Sequence, residues 1–137
     1  MTFTASEVGR TLIVTWGEVV VSDLDKVRAR LKDMGTRVGR LPVYLAITPP
    51  DAPAPSEEVR KEMLAMMAEV SSLTETLHLI LEGKGLKYSA LRSIVASMFL
   101  LGGNRRVFVH DTVADALKKT SLDERERTDV LVALGRG

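Results

Sequence analysis

The stretch Val107-Phe108-Val109-His110-Asp111-Thr112-Val113-Ala114-Asp115-Ala116-Leu117 decides the fold, because a short β-branched and aromatic run turns at Asp111 directly into a helix-forming run. Working back from it, the same alternation recurs. Leu77-His78-Leu79-Ile80-Leu81 and Pro42-Val43-Tyr44-Leu45-Ala46-Ile47-Thr48 are largely apolar on both faces, as parallel strands covered on both sides are. Thr11-Leu12-Ile13-Val14-Thr15-Trp16 is a further strand, and Glu7 to Arg10, with Gly9, can turn it back towards Phe3 to Ala5, predicting an N-terminal hairpin.

Helical periodicity fills the gaps. Ser22 precedes Asp23-Leu24-Asp25 in a capping arrangement, and Leu24, Val27, Leu31 and Met34 predict a first helix from about Asp23 to Met34, ending near Gly35. Pro49-Pro50-Asp51-Ala52-Pro53-Ala54-Pro55 cannot extend the preceding strand, since proline lacks the amide donor, and reads as a stiff loop. Ser56 then caps a second helix; Glu57 and Glu58 suit its positive end, and Val59, Met63, Met66, Val70 and Leu73 form its stripe. Gly83-Lys84-Gly85 leads to a third helix carrying Leu91, Ile94, Val95, Met98, Phe99 and Leu101. Asp111, the more natural cap, or Thr112 begins a short fourth helix through Lys119. Ser121-Leu122-Asp123-Glu124 repeats the capping signature before a terminal helix around Leu122 to Leu134, with Asp123 to Asp129 as a solvated face.

Strand, strand, helix, then alternating helix and strand is the order of an α/β domain with parallel crossovers. The expected fold is a single domain with an N-terminal hairpin, an approximately five-stranded mixed sheet, four helices and a C-terminal helix. Residues 1–119 form the domain and 120–137 a helical extension packed on it.

At 137 residues, 45% hydrophobic and 27% charged, the chain is long enough for one true core. Nineteen basic residues against eighteen acidic leave a net charge of +1, which offers no field of one sign to nucleic acid or acidic lipid. The absence of cysteine removes thiolate chemistry and sulfur ligation and suits the cytoplasm. Met1 to Glu7 carries no basic flank or apolar run, and no apolar stretch is long enough for a membrane span.

The sequence texture resembles the STAS (sulfate transporter and anti-sigma-factor antagonist) domain over residues 3 to 119. Leu12-Ile13-Val14-Thr15-Trp16-Gly17-Glu18 is similar to the family's second strand and glycine-acidic turn, Asp23-Leu24-Asp25-Lys26-Val27 to the start of its first helix, and Val107 to Leu117 to its final strand and alanine-leucine helix. The resemblance implies a non-catalytic protein-interaction module in bacterial regulation or signalling. In that family a serine or threonine at the start of the second helix, after aspartate and before glycine, is a phosphorylation switch. By element order the matching hydroxyl is Ser56, but it follows Pro55 and precedes Glu57, so the usual switch motif is missing and Glu57 and Glu58 would repel a phosphate. The resemblance also implies that the loop and second helix face the partner, which selects Asp51, Ser56, Val59, Met63, Leu64 and Met67. Methionine suits forgiving surfaces as well as irregular cores, and Leu64 with Met67 widens the apolar face beyond the stripe.

Catalytic signatures are lacking: no Gly-x-Ser-x-Gly elbow, His-Glu-x-x-His helix or P-loop occurs. His78 and His110 each stand without a second ligand or base nearby in sequence, so no metal and no cofactor is expected. Gly83-Lys84-Gly85, with Lys84 and Lys87, offers a weak anion-binding turn but reads first as a simple tight turn. The leading expectation is therefore a module binding a protein partner or a second copy of itself. The alternative is a small-ligand or lipid-binding protein of the SEC14 or STAS-like kind. Acid chemistry at Asp51, Glu57 or Glu82 ranks last, since no nucleophile and base pair can be located.

Overall fold

The computed structural model describes residues 3–50, 56–83, 92–93, 96 and 107–135 of the chain. Strand β1 (Phe3–Val8) pairs antiparallel with β2 (Thr11–Trp16) across Gly9 and Arg10. Gly9 has φ +58° at the first central turn position, where a tight hairpin takes glycine because a side chain would be strained. The rings of Phe3 and Trp16, opposite each other in the register, lie 5.2 Å apart and close the hairpin's far end.

From β2 the sheet continues in parallel through β3 (Val43–Thr48), β4 (Thr76–Leu81) and β5 (Val107–His110), in the spatial order β1-β2-β3-β4-β5. The crossovers carry α1 (Val21–Val38) between β2 and β3 and α2 (Glu57–Ser72) between β3 and β4, while Arg92, Ser93 and Ala96 are helical between β4 and β5. After β5 come α3 (Val113–Leu117) and α4 (Glu124–Ala133). The α/β class, the hairpin and the mixed five-stranded sheet are as the alternation predicts; most of the expected third helix lies outside the described residues.

Strand alternation divides the core between two faces. On one, Leu12, Val14, Trp16, Tyr44, Ala46 and Leu77 meet Leu24, Val27, Leu31 and Met34 of α1 and Val59 and Met66 of α2. On the other, Ile13, Val43, Leu45, Ile47 and Ile80 meet Val113, Ala116 and Leu117 of α3, Leu122, and Val130 of α4. Leu31, Met34 and Val130 are completely buried, and burial of such a side chain stabilises by roughly 1.5–3 kcal/mol. The C-terminal segment thus completes the second core layer.

Four helix termini differ from the sequence reading. Helix α1 is capped by Val20 in extended conformation with no side-chain cap, so Ser22 sits inside the first turn. The helix also runs through Gly35 and stops at Gly39, whose φ of +72° lets its amide bond the Gly35 carbonyl at 3.0 Å. Glycine ends a helix where a left-handed residue is needed; Gly35 keeps a helical backbone and only lowers propensity. Helix α3 is capped by Thr112, which accepts from the Asp115 amide at 3.1 Å, so Asp111 is not the cap. Helix α4 is capped by Asp123 in a reciprocal box with Glu126, which leaves Ser121 for another partner.

That partner is Arg10. Its guanidinium donates to Glu75 Oε2 (2.8 Å), Glu126 Oε2 (2.9 Å) and Ser121 Oγ (2.9 Å), and the Ser121 hydroxyl bonds Glu75 in turn. The network ties the hairpin turn, the entry to β4 and the start of α4 at one end of the sheet. Glu126 therefore departs from the solvated face expected for Asp123 to Asp129.

Candidate functional site

A different constellation runs along β4 and β5 to their carboxyl ends. On β4, Leu77 and Leu79 pack into the first core face, which sends Thr76, His78 and Ile80 to the other. On β5, Val107 and Val109 take the first face and Phe108 and His110 share the second. The parallel register sets His78 opposite Phe108 and Ile80 opposite His110, so the histidines meet on a diagonal. Their rings, 5.3 Å apart between centroids, are inclined by 22°, and Phe108 stacks on His78 at 5.2 Å.

His78 Nδ1 lies 3.2 Å from His110 Nε2, and His78 Nε2 lies 2.8 Å from Thr76 Oγ1. With ring centres 5.3 Å apart, the facing nitrogens stand close to the line joining the rings, the geometry of a direct hydrogen bond. Among the described residues no three His, Cys, Asp or Glu side chains converge as a metal site.

Two proton arrangements satisfy the chain. In one, Thr76 donates to His78, which donates to His110, leaving the His110 proton on Nδ1. In the other, His110 donates through Nε2 to His78, which donates to Thr76, leaving His110 Nδ1 as a bare acceptor. Burial pushes His78 down to about 4, assisted by the neighbouring His110, so it is neutral at pH 7. His110 is also held below its usual range by burial and the nearby Lys119, which outweigh Asp115 and Asp111.

His110 opens onto a pocket of about 390 Å³ lined also by Arg92, Ser93, Ala96, Val109, Asp111 and Asp115. The pocket sits at the carboxyl ends of β4 and β5, where open parallel sheets present loop residues to ligands. Arg92 Nη1 donates to the Leu81 carbonyl (3.0 Å) and the Gly83 carbonyl (2.9 Å), which fixes the guanidinium at the mouth of β4. Among the described residues it forms no ion pair with Asp111 or Asp115; Asp115 has only a long contact of 3.8 Å with the exposed Lys118. Opposite charges thus share one pocket without neutralising each other.

The residues selected from the sequence fall elsewhere. Ser56 is exposed and its hydroxyl accepts from the Val59 amide at 3.2 Å, as a helix cap does. Val59 is buried, and half-buried Met63 packs against the same core face. Leu64 points outward, 42% exposed. Asp51, Lys84 and Lys87, and the side chain of Met67, lie outside the described residues. Glu82 follows β4 and its amide bonds the Thr48 carbonyl, while Glu57 is exposed at the start of α2. The histidine pair was missed because register between strands is not written in either strand. Its only sequence signal was parity: both histidines occupy the face opposite the leucines and valines of their strands.

No protein-family model, curated protein or solved structure matches this chain.

Proposed function

We propose that the protein is a non-catalytic, STAS-like interaction module of bacterial regulation or signalling, working in the cytoplasm and engaging a protein partner through the outer face of α2. The observation that carries this reading is Leu64. The helical stripe Val59, Met63, Met66, Val70 and Leu73 is directed at the sheet, yet Leu64 stays 42% exposed on the same helix. A partner docked on this face of α2 would cover Leu64 and gain the burial of its side chain. The mixed sheet in the order β1-β2-β3-β4-β5, with a hairpin at one edge, supports the STAS-like reading. Ser56 serves as a cap in it rather than as a switch. Crosslinking in the native cell, followed by recovery of the full chain, tests the proposal. A partner captured by the wild type and lost in Leu64→Glu supports it, whereas equal capture by both, or recovery of the protein alone, overturns it.

The pocket beside His110 favours a second reading, the binding of a small polar ligand. A saturable change in the His110 ring resonances on adding a ligand supports that reading; the α2 reading does not depend on it.

A further inference from the structure

We infer that the pocket at the carboxyl ends of β4 and β5 is a site for a small zwitterion of the α-amino-acid class, its ammonium group held by Asp111 and Asp115 and its carboxylate by Arg92, with His110 Nδ1 as the central hydrogen-bond partner. The inference rests on the ligand-binding reading and adds the ligand's chemistry.

The charges lead to it. Asp111 and Asp115 lie four residues apart, bracketing the start of α3, and both line the pocket. Arg92 lines it from the crossover between β4 and β5, fixed there by the Leu81 and Gly83 carbonyls. A guanidinium and two carboxylates around one open pocket without an ion pair leave two poles of opposite sign. A molecule carrying one charge matches one pole and leaves the other unanswered; one with both charges a few bonds apart answers both. Charge-assisted hydrogen bonds of this kind are about twice as strong as neutral ones. The pocket, of about 390 Å³ and widely open to solvent, has room for a molecule of amino-acid size.

The histidine chain gives the site its middle contact. His110 Nε2 is committed to His78, so Nδ1 is the nitrogen left for a ligand. Among the described residues Nδ1 has no hydrogen-bond partner. Because Thr76 and His78 accept either proton arrangement, Nδ1 can donate to a carboxylate or accept from an ammonium group without either ring becoming charged. His78 and Thr76 are positioning residues: they touch no ligand and act through His110. The groups facing His110 are Asp111 and Asp115 at the start of α3, Lys119 beyond it, and Arg92 from the crossover.

The test titrates the full chain with each common α-amino acid in turn, with ethylamine and acetate as single-charge controls, following the His110 ring resonances by NMR. At least one amino acid is expected to shift them saturably, and neither control to do so at the same concentration. Asp115→Asn and Arg92→Lys are each expected to weaken that binding by about tenfold or more, the first by removing a charge and the second by removing the guanidinium that the Leu81 and Gly83 carbonyls hold in place. Asp111 and Asp115 are exposed, so Asp111→Asn and Asp115→Asn leave the core intact. Thr76→Val is expected to fix one tautomer, visible in the ¹⁵N shifts of both histidines before any ligand is added. A response to acetate or ethylamine as strong as to any amino acid would overturn the zwitterion while leaving a ligand pocket. Silence of His110 towards all of them would overturn the ligand reading as well, and unchanged binding in Asp115→Asn and Arg92→Lys would remove these side chains from the site.

Discussion

His78 and His110, far apart in the chain, face each other nitrogen to nitrogen at 3.2 Å across β4 and β5, with Thr76 continuing the hydrogen-bonded chain on the buried side. The arrangement joins a fully buried ring to one at the pocket wall. Any change in protonation of the buried ring therefore reaches both stability and the pocket.

The first consequence is a pH dependence. His78 is held at about 4 in the folded chain against an ordinary 6.5, because burial disfavours its charged form. The unfolded state thus binds more protons between these values, and folding stability is expected to fall as the pH drops from about 6.5 towards 4, by roughly 3 kcal/mol at most. His110, also lowered, adds in the same direction. Below that window the salt-bridged Glu7, held low by Arg37 and Arg30, continues the loss. Urea denaturation at a series of pH values checks this; His78→Leu should flatten the slope between pH 6.5 and 4, and an unchanged slope would remove His78 as its source.

Arg10 is only 9% exposed; its loss would leave Glu126 Oε2 without its ion pair and Glu75 with Arg40, at 3.4 Å, and Ser121 alone. Arg10→Met is expected to cost about 2–3 kcal/mol, below the range for a fully buried pair because both carboxylates reach solvent. Chemical denaturation measures the cost. Hydrogen exchange should show α4 losing protection first, since Glu126 and Ser121 are what bind its start to the hairpin.

Ser56→Ala removes the bond to the Val59 amide and is expected to destabilise α2 by about 1 kcal/mol. Ser56→Asp caps equally well and should stay within about 0.5 kcal/mol of wild type. Thermal unfolding of the two variants side by side distinguishes a cap from a position needing a hydroxyl.

Gly35 and Gly39 are expected to respond in opposite directions. Gly35 is inside α1, and an added Cβ would meet only the Pro42 ring at 4.0 Å, so Gly35→Ala should stabilise by about 0.5–1 kcal/mol. Gly39 holds φ +72°, and Gly39→Ala should destabilise by about 1 kcal/mol or more. Melting temperatures that move in the same direction would contradict the assignment of the helix end.

Much of the architecture was legible because it depends on local repetition. The stripe Leu24, Val27, Leu31 and Met34 buries as its spacing predicts, as does the stripe of α2. Helix ends were less legible, since a cap is chosen by backbone geometry as well as residue type: Thr112 and Asp111 are both good caps, and only the extended backbone at Thr112 aims its hydroxyl at the Asp115 amide. Nor could apolar residues be divided between core and surface on type alone: Val59 and Leu64 both looked fit for a partner, and one is buried while the other is exposed.

The sequence by itself determined the alternation of strands and helices, the hairpin at Gly9, and the apolar faces that must meet, because periodicity and glycine placement act over a few residues. Tertiary structure alone decided that Arg10 gathers Glu75, Ser121 and Glu126, and that His78 meets His110 beside Arg92, Asp111 and Asp115. Those encounters depend on inter-strand register and on how crossovers place their ends, quantities fixed by packing the whole sheet rather than by any one segment.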